Sequence, residues 1–240
     1  MRGIGIVVAL EREIRACLDD PDFGWRVETP FDWVSGRWPL RLALSGIGKA
    51  FAAFTAARAA QGASLLLSLG TSGGLGGAEE IGGLVLAAEF VEHDMEAGAL
   101  HFAPGVTPYS EMLDPVMRTA GEATLGLARR ALGAAGLFFR EGRVASGDSF
   151  IDDPARARLL RERTGADAVD MESAAVAKIA RYRLLGPDGA PLEALALRAL
   201  SDAADRRAGR SWAELVDGQG LLLSRFLKAF APLYCGSDAS

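Results

Sequence analysis

Four stretches of this chain set acids, hydroxyls or glycines at the point where an apolar run ends. The first is Val8-Ala9-Leu10-Glu11-Arg12-Glu13-Ile14, in which two acids follow an apolar run within four residues. Carboxylates so placed can work as general acids or bases. They also suit the first turn of a helix, where the dipole favours negative charge, and on this stretch alone the structural role is the commoner one. The second is Gly70-Thr71-Ser72-Gly73-Gly74-Leu75-Gly76-Gly77. Five glycines in eight residues are more than a turn requires, and they let backbone approach a ligand while Thr71 and Ser72 offer hydroxyls. The third, Ser146-Gly147-Asp148-Ser149-Phe150-Ile151, interrupts a polar loop with a flat ring and a branched chain, a surface that suits a heterocycle or simply plugs the core. The fourth is a pair, Val169-Asp170-Met171-Glu172-Ser173 and Arg198-Ala199-Leu200-Ser201-Asp202-Ala203-Ala204-Asp205. Arg198 lies inside an apolar run and so needs a buried counter-charge, which acids at neighbouring strand ends would supply. Ion pairing competes with catalysis as the explanation of Asp170 and Asp205, and less so for Glu172 and Asp202.

The elements that must position these residues are short apolar runs alternating with longer helical patterns, an α/β arrangement around a largely buried sheet. Strands are expected at residues 3–9, 41–45, 64–69, 83–92, 143–146, 166–170 and 193–200. Asp114-Pro115 and Asp153-Pro154 each set a cap residue before a proline and predict helix starts. Ser211 with Glu214 forms a possible capping box ahead of an apolar stretch reaching Leu233, with Gly218 and Gly220 weakening its first half. One domain over residues 1–235 is expected, with a frayed tail at 236–240 and a lengthened surface loop at 185–191.

Composition narrows the function. A net charge of −5 with no basic run leaves no electrostatic footprint for nucleic acid or an anionic membrane. The first apolar run, cut by Glu11, Arg12 and Glu13, is too short to span a bilayer or to serve as a signal peptide, so a cytoplasmic chain is expected. Two histidines, His93 and His101, and two cysteines, Cys17 and Cys235, share no metal-ligand spacing, so neither a metal nor a cofactor is expected, while a disulfide is left open. Ser45-Gly46-Ile47-Gly48-Lys49 begins a dinucleotide fingerprint but carries Phe51 where the third glycine should stand, and Gly70–Gly77 is followed by no Gly-Lys-Ser/Thr.

Taken in order, Ala-Leu-Glu-Arg-Glu-Ile, Ser-Gly-Ile-Gly-Lys, Gly-Thr-Ser-Gly-Gly-Leu, His-Asp, Ser-Gly-Asp-Ser-Phe-Ile, Asp-Met-Glu-Ser-Ala and Arg-Ala-Leu-Ser-Asp-Ala-Ala-Asp resemble the nucleoside phosphorylase superfamily, and within it the 5′-methylthioadenosine/S-adenosylhomocysteine nucleosidases. The resemblance runs from Gly3 to about Trp212. It implies a three-layer α/β sandwich with a central mixed, twisted sheet flanked by helices, and hydrolysis of a purine N-glycosidic bond. It implies that Glu13 is the general base for water, that Glu172 accepts from the ribose hydroxyls with Met171 against the sugar, and that Asp202 protonates the purine at N7. Phe150 would stack on the base and the Ile151 backbone would read its edge. Ser201 and the Thr71-Ser72-Gly73 turn fall among the substrate-binding positions. Leu10, Ile47 and Trp212 would line the 5′-substituent pocket, and Leu100 and Pro108 would complete it from the partner subunit of a homodimer.

This sequence departs from the family pattern in four places. Asp170 replaces a glutamate, Thr71-Ser72 a Ser-Ala pair, Leu10 a methionine and Trp212 a phenylalanine, so the 5′-group preference stays open. Rival readings are a phosphate-dependent phosphorylase, a nucleosidase of the futalosine or adenosylhopane type, and a non-catalytic nucleoside-binding protein. A carboxylate at Glu13 would repel phosphate, and a binding relic has little reason to keep Glu13, Glu172 and Asp202 together.

Overall fold

In the computed structural model, residues 2–77, 80–112, 114–186, 189–190 and 192–236 are described. The strands are β1 (Ile4–Val8), β2 (Trp25–Thr29), β3 (Asp32–Ser35), β4 (Leu40–Leu44), β5 (Leu65–Gly74), β6 (Leu84–Glu92), β7 (Met117–Arg118), β8 (Arg140–Ser146), β9 (Ala168–Asp170) and β10 (Glu193–Asp202). The helices are α1 (Arg15–Leu18), α2 (Lys49–Ala59), α3 (Glu122–Ala134), α4 (Pro154–Thr164), α5 (Ser173–Arg183) and α6 (Ala208–Cys235).

The apolar runs form the centre of one mixed sheet because they are covered on both faces. All five residues of β1 are buried, and it lies parallel to both β4 and β5. On one face Ile4, Ile6 and Val8 join Leu65, Leu67, Leu69 and the inner side of α6, including Phe226 and Phe230. On the other, Val7 and Leu66 meet the alanine-lined faces of α2 and α5. Small residues let α2 sit against the strand: a Cβ at Gly5 would lie 2.3 Å from the Ala59 carbonyl oxygen. The layers are thus helix, sheet, helix. One half of the sheet also closes on itself. β5 pairs with β10, β10 with β6, β6 with β8, β8 with β9, and β9 returns antiparallel to the far end of β5. This closure is possible because β5 runs ten residues, five past the expected strand end, and carries its glycines as extended chain.

Three expectations need correction. Asp114-Pro115 starts no helix; the Asp114 carboxylate accepts the Val116 N–H at 2.7 Å in a tight turn, and the chain then pairs as β7 with β6. Ser211 does not cap α6, which already begins at Ala208 behind a turn in which Asp205 accepts the Arg207 N–H; Glu214 instead pairs with Arg210. The helix runs unbroken through Gly218 and Gly220. Gly220 has a packing reason: a Cβ there would lie 2.9 Å from the Glu13 carbonyl oxygen. The hairpin β2–β3 was not foreseen; it extends the sheet edge and is tied to α2 by the buried Asp32, which pairs with Arg58. Cys17 and Cys235 are both buried and free. Of the loop at 185–191, residues 187, 188 and 191 lie outside the described residues, as does the tail at 237–240.

Candidate active site

The ends of β1, β8, β9 and β10, the late half of β5 and the start of α6 surround one open cavity of about 260 Å³. Ligands of open α/β sheets bind at such strand ends. Its walls include Leu10, Glu13, Ile47, Thr71, Ser72, Gly73, Phe150, Ile151, Met171, Glu172, Ser201, Asp202 and Trp212. Every sequence-derived site residue lines it except two. Leu100, exposed in the turn Gly98–Leu100, and Pro108, half-buried in the following loop, do not. Ala9, Val169 and Asp170 line it as well, as do Ser149 and Gly209, none of them among the expected site residues. Ser149 sits within the Ser-Gly-Asp-Ser-Phe-Ile motif, and Gly209 lies three residues before Trp212 on the same helix face, so both signals were present.

Glu13 closes a single 3-10 turn (Glu11–Glu13) after β1 and reaches back into the site. One oxygen, Oε1, accepts both the Thr71 N–H at 2.7 Å and the Thr71 hydroxyl at 2.6 Å. The other, Oε2, accepts the Leu10 N–H at 3.0 Å. A carboxylate offers about four lone-pair positions, so three are filled and the free one is on Oε2. Gly70 permits this crowding, since a Cβ there would stand 2.3 Å from Arg198 Nη1 and 3.0 Å from Glu13 Oε1.

The two acids of the Asp-Met-Glu stretch divide structural and ligand-facing positions. Asp170 pairs with Arg198, Nε to Oδ2 at 2.8 Å, and both side chains are buried. It also accepts from the Ser173 N–H and from the hydroxyls of Ser146 and Ser173, fixing the start of α5. Arg198 Nη2 donates to the hydroxyls of Ser68 and Ser173. This meets the charge balance that a buried arginine demands. Glu172, two residues on, faces the cavity, where its Oε1 accepts the Gly48 N–H at 2.9 Å. Burial first, and then the charge of Asp170, push its carboxyl up to about 7.

Asp202 owes its aim to a bulge. β10 and β5 keep step to Leu200 opposite Ser72, then slip so that Asp202 faces Gly73. Such an extra residue turns the strand and re-directs the side chain. The Asp202 carboxylate accepts the Ser201 hydroxyl at 2.8 Å and the Ala204 N–H at 2.9 Å. Burial raises its pKa above the usual range, against the pull of those two bonds.

The loop between β4 and α2 is anchored on the far side of the cavity. Lys49 Nζ reaches Glu92 at 3.2 Å and Asp94 at 2.6 Å, and its N–H donates to Asp148 at 2.8 Å. Asp148 in turn donates its N–H to Asp94, so the loop carrying Ile47 and the loop carrying Phe150 are tied together. No cluster of histidine, cysteine or acidic groups fit to hold a metal ion occurs among the described residues, and no described helix is long and apolar enough to cross a membrane.

A model of the phosphorylase superfamily matches residues 3–230. The 5′-methylthioadenosine/S-adenosylhomocysteine nucleosidase of Geobacillus kaustophilus is 33% identical over 184 residues, covering 72% of this chain and 71% of that one. The aminodeoxyfutalosine nucleosidase of Helicobacter pylori is 30% identical over 190 residues, 78% of each chain. A solved structure of a mutant Helicobacter pylori MTAN with 5′-methylthioadenosine in its active site is similar with a TM-score of 0.81 at 28% identity, covering 96% of this chain and 98% of that one. With nearly its whole length inside the family model, and with relatives of this similarity, the chain belongs to the phosphorylase superfamily.

Proposed function

We propose that the protein hydrolyses the N-glycosidic bond of a purine nucleoside bearing a 5′-substituent, 5′-methylthioadenosine or S-adenosylhomocysteine being the first candidates. The observation that carries this reading is the environment of Glu13. Its carboxylate already takes the Thr71 N–H and hydroxyl, donors that a phosphorylase would need for phosphate, and Arg198, paired with Asp170, is not among the residues that line the cavity. A phosphate dianion would meet a negative charge there, whereas a water molecule would meet the free lone pair of Oε2.

In this reading, water attacks the anomeric carbon as Glu13 Oε2 takes its proton. Glu172 accepts hydrogen bonds from the ribose hydroxyls and offsets positive charge on the sugar, with Met171 packed beside it. Asp202, whose hold on a proton is strengthened by burial, gives its proton to N7 so that the base leaves neutral. Phe150 stacks on the purine, Ile151 and Ser201 flank it, and Leu10, Ile47 and Trp212 wall the 5′-group. The reaction so written calls for no cofactor. Leu100 and Pro108, which lie outside this cavity, we assign to the pocket of a second copy in a homodimer, and we read the enzyme as cytoplasmic.

An aminodeoxyfutalosine-type substrate is the second reading, favoured by the Helicobacter pylori relative. The test is incubation with methylthioadenosine, adenosylhomocysteine, aminodeoxyfutalosine, adenosine and inosine, assaying free base. Release from a 5′-substituted nucleoside well ahead of adenosine and inosine supports the proposal; no release from any of them contradicts it.

A further inference from the structure

One contact within the cavity wall links a 5′-pocket residue to the proposed base. The Trp212 indole N–H donates to Thr71 Oγ1 at 3.0 Å, and that hydroxyl donates to Glu13 Oε1 at 2.6 Å. An indole nitrogen can only donate. It therefore occupies an acceptor site of the Thr71 hydroxyl and leaves that group's single proton for Glu13. With the Thr71 N–H on the same oxygen, Oε1 is filled and proton uptake is confined to Oε2, which carries only the Leu10 N–H.

The ring is itself held. The Arg12 guanidinium stands 5.6 Å from its centroid. Arg12 is fixed by two bonds to Asp217, at 3.1 and 2.9 Å, and by one to the Ala213 carbonyl at 3.4 Å, both on α6. The Arg12–Asp217 pair is exposed and adds little stability by itself. Its effect is geometric, because it fastens α6 to the turn that bears Glu13. A phenylalanine, usual in the resembled family, would fill the same wall and donate nothing.

We infer that Trp212 is a positioning residue for the general base: through Thr71 it fixes which oxygen of Glu13 receives the proton from water, in addition to walling the 5′-pocket. This rests on the hydrolytic reading of Glu13. A double-mutant cycle separates the two roles. W212F, T71V and the double variant are compared with the wild type for the rate of base release at saturating nucleoside, where a weakened wall no longer counts. Loss of one hydrogen bond predicts a fall of roughly 3- to 10-fold in W212F. In the T71V background the same change should have less than about a twofold effect, whereas T71S, which keeps the hydroxyl, should retain the full W212F loss. Losses that simply multiply in T71V overturn the inference. A second readout needs no T71V protein: the Trp212 indole N–H resonance, identified by its disappearance in W212F, should move in E13Q while the other three tryptophan indoles stay in place. An unmoved Trp212 resonance also overturns it. A wild type that releases no base contradicts the functional reading itself, whereas turnover with independent losses removes only the role given to Trp212.

Discussion

Asp170 and Arg198, 28 positions apart in the chain, meet at 2.8 Å with both side chains almost fully withdrawn from water. Breaking such a pair leaves a buried charge without its partner, which typically costs about 3–5 kcal/mol. Asp170→Asn keeps the shape and loses the charge. Denaturant unfolding should show a loss of that order. A change below about 1 kcal/mol would mean that the serines around Arg198 suffice without the carboxylate.

In the proposed mechanism Asp202 has the opposite task, to hold a proton rather than to stay charged. Asp202→Asn keeps an oxygen for the Ala204 N–H, and its amide nitrogen can donate to the Ser201 hydroxyl, whose own proton then turns to the Ser72 carbonyl at 3.3 Å, so the fold should survive. Turnover should fall by roughly 10²–10⁴-fold, the usual contribution of a positioned acid. Because burial raises its pKa, wild-type kcat should decline on the alkaline side as Asp202 loses its proton, and that limb should vanish from the residual activity of the variant. Near-normal turnover by Asp202→Asn would remove it from the acid role.

Glu172 makes a stability prediction with a definite sign. Its carboxyl rises from an ordinary 4.5 to about 7 in the folded protein, chiefly by burial. The folded state then holds the proton more tightly than the unfolded state, so the stability linked to it is complete below about pH 4.5 and is lost as pH rises through about 7. A shift of this size corresponds to about 3 kcal/mol. Glu172→Gln, still able to accept the Gly48 N–H, should unfold at a higher temperature than the wild type at pH 8, with the gain shrinking toward pH 4.5. The same variant should turn over ribosides poorly. Equal thermal stability at pH 8 would show that the charged form is better compensated than its surroundings indicate.

The cysteines should be inert. Burial pushes the Cys17 thiol up to about 12 and the Cys235 thiol to about 11, so the thiolate is scarce at neutral pH and shielded where it forms. Thiol titration of the native protein should show little reaction, and of the denatured protein two equivalents. Rapid labelling of the native form would contradict the packing around them.

Much of the site was legible because its residues sit in short stretches at strand ends, where polar groups stand out against apolar runs. Glu13, Thr71, Phe150, Glu172 and Asp202 are of this kind. What was not legible depends on pairing across long sequence distances. The return of β9 onto β5 gives no local signal, nor does the bulge at Ser201 that aims Asp202. The hairpin of β2 and β3 was missed because β2 is largely exposed and the pair is held by Asp32 and Arg58 from another element. Asp114-Pro115 misled because the same cap chemistry serves a turn as well as a helix. The bond from Trp212 to Thr71 joins residues 141 apart, and only the packing of α6 on the Glu13 turn reveals it.

The account stands on water, activated at Glu13, being the group that displaces the purine. Turnover of methylthioadenosine in ¹⁸O-enriched water with millimolar phosphate present tests this most directly, with the sugar product examined by mass spectrometry. The expected result is a free sugar carrying one ¹⁸O at its anomeric carbon, at a rate indifferent to phosphate. A sugar 1-phosphate without the label, formed faster as phosphate is raised, would contradict it.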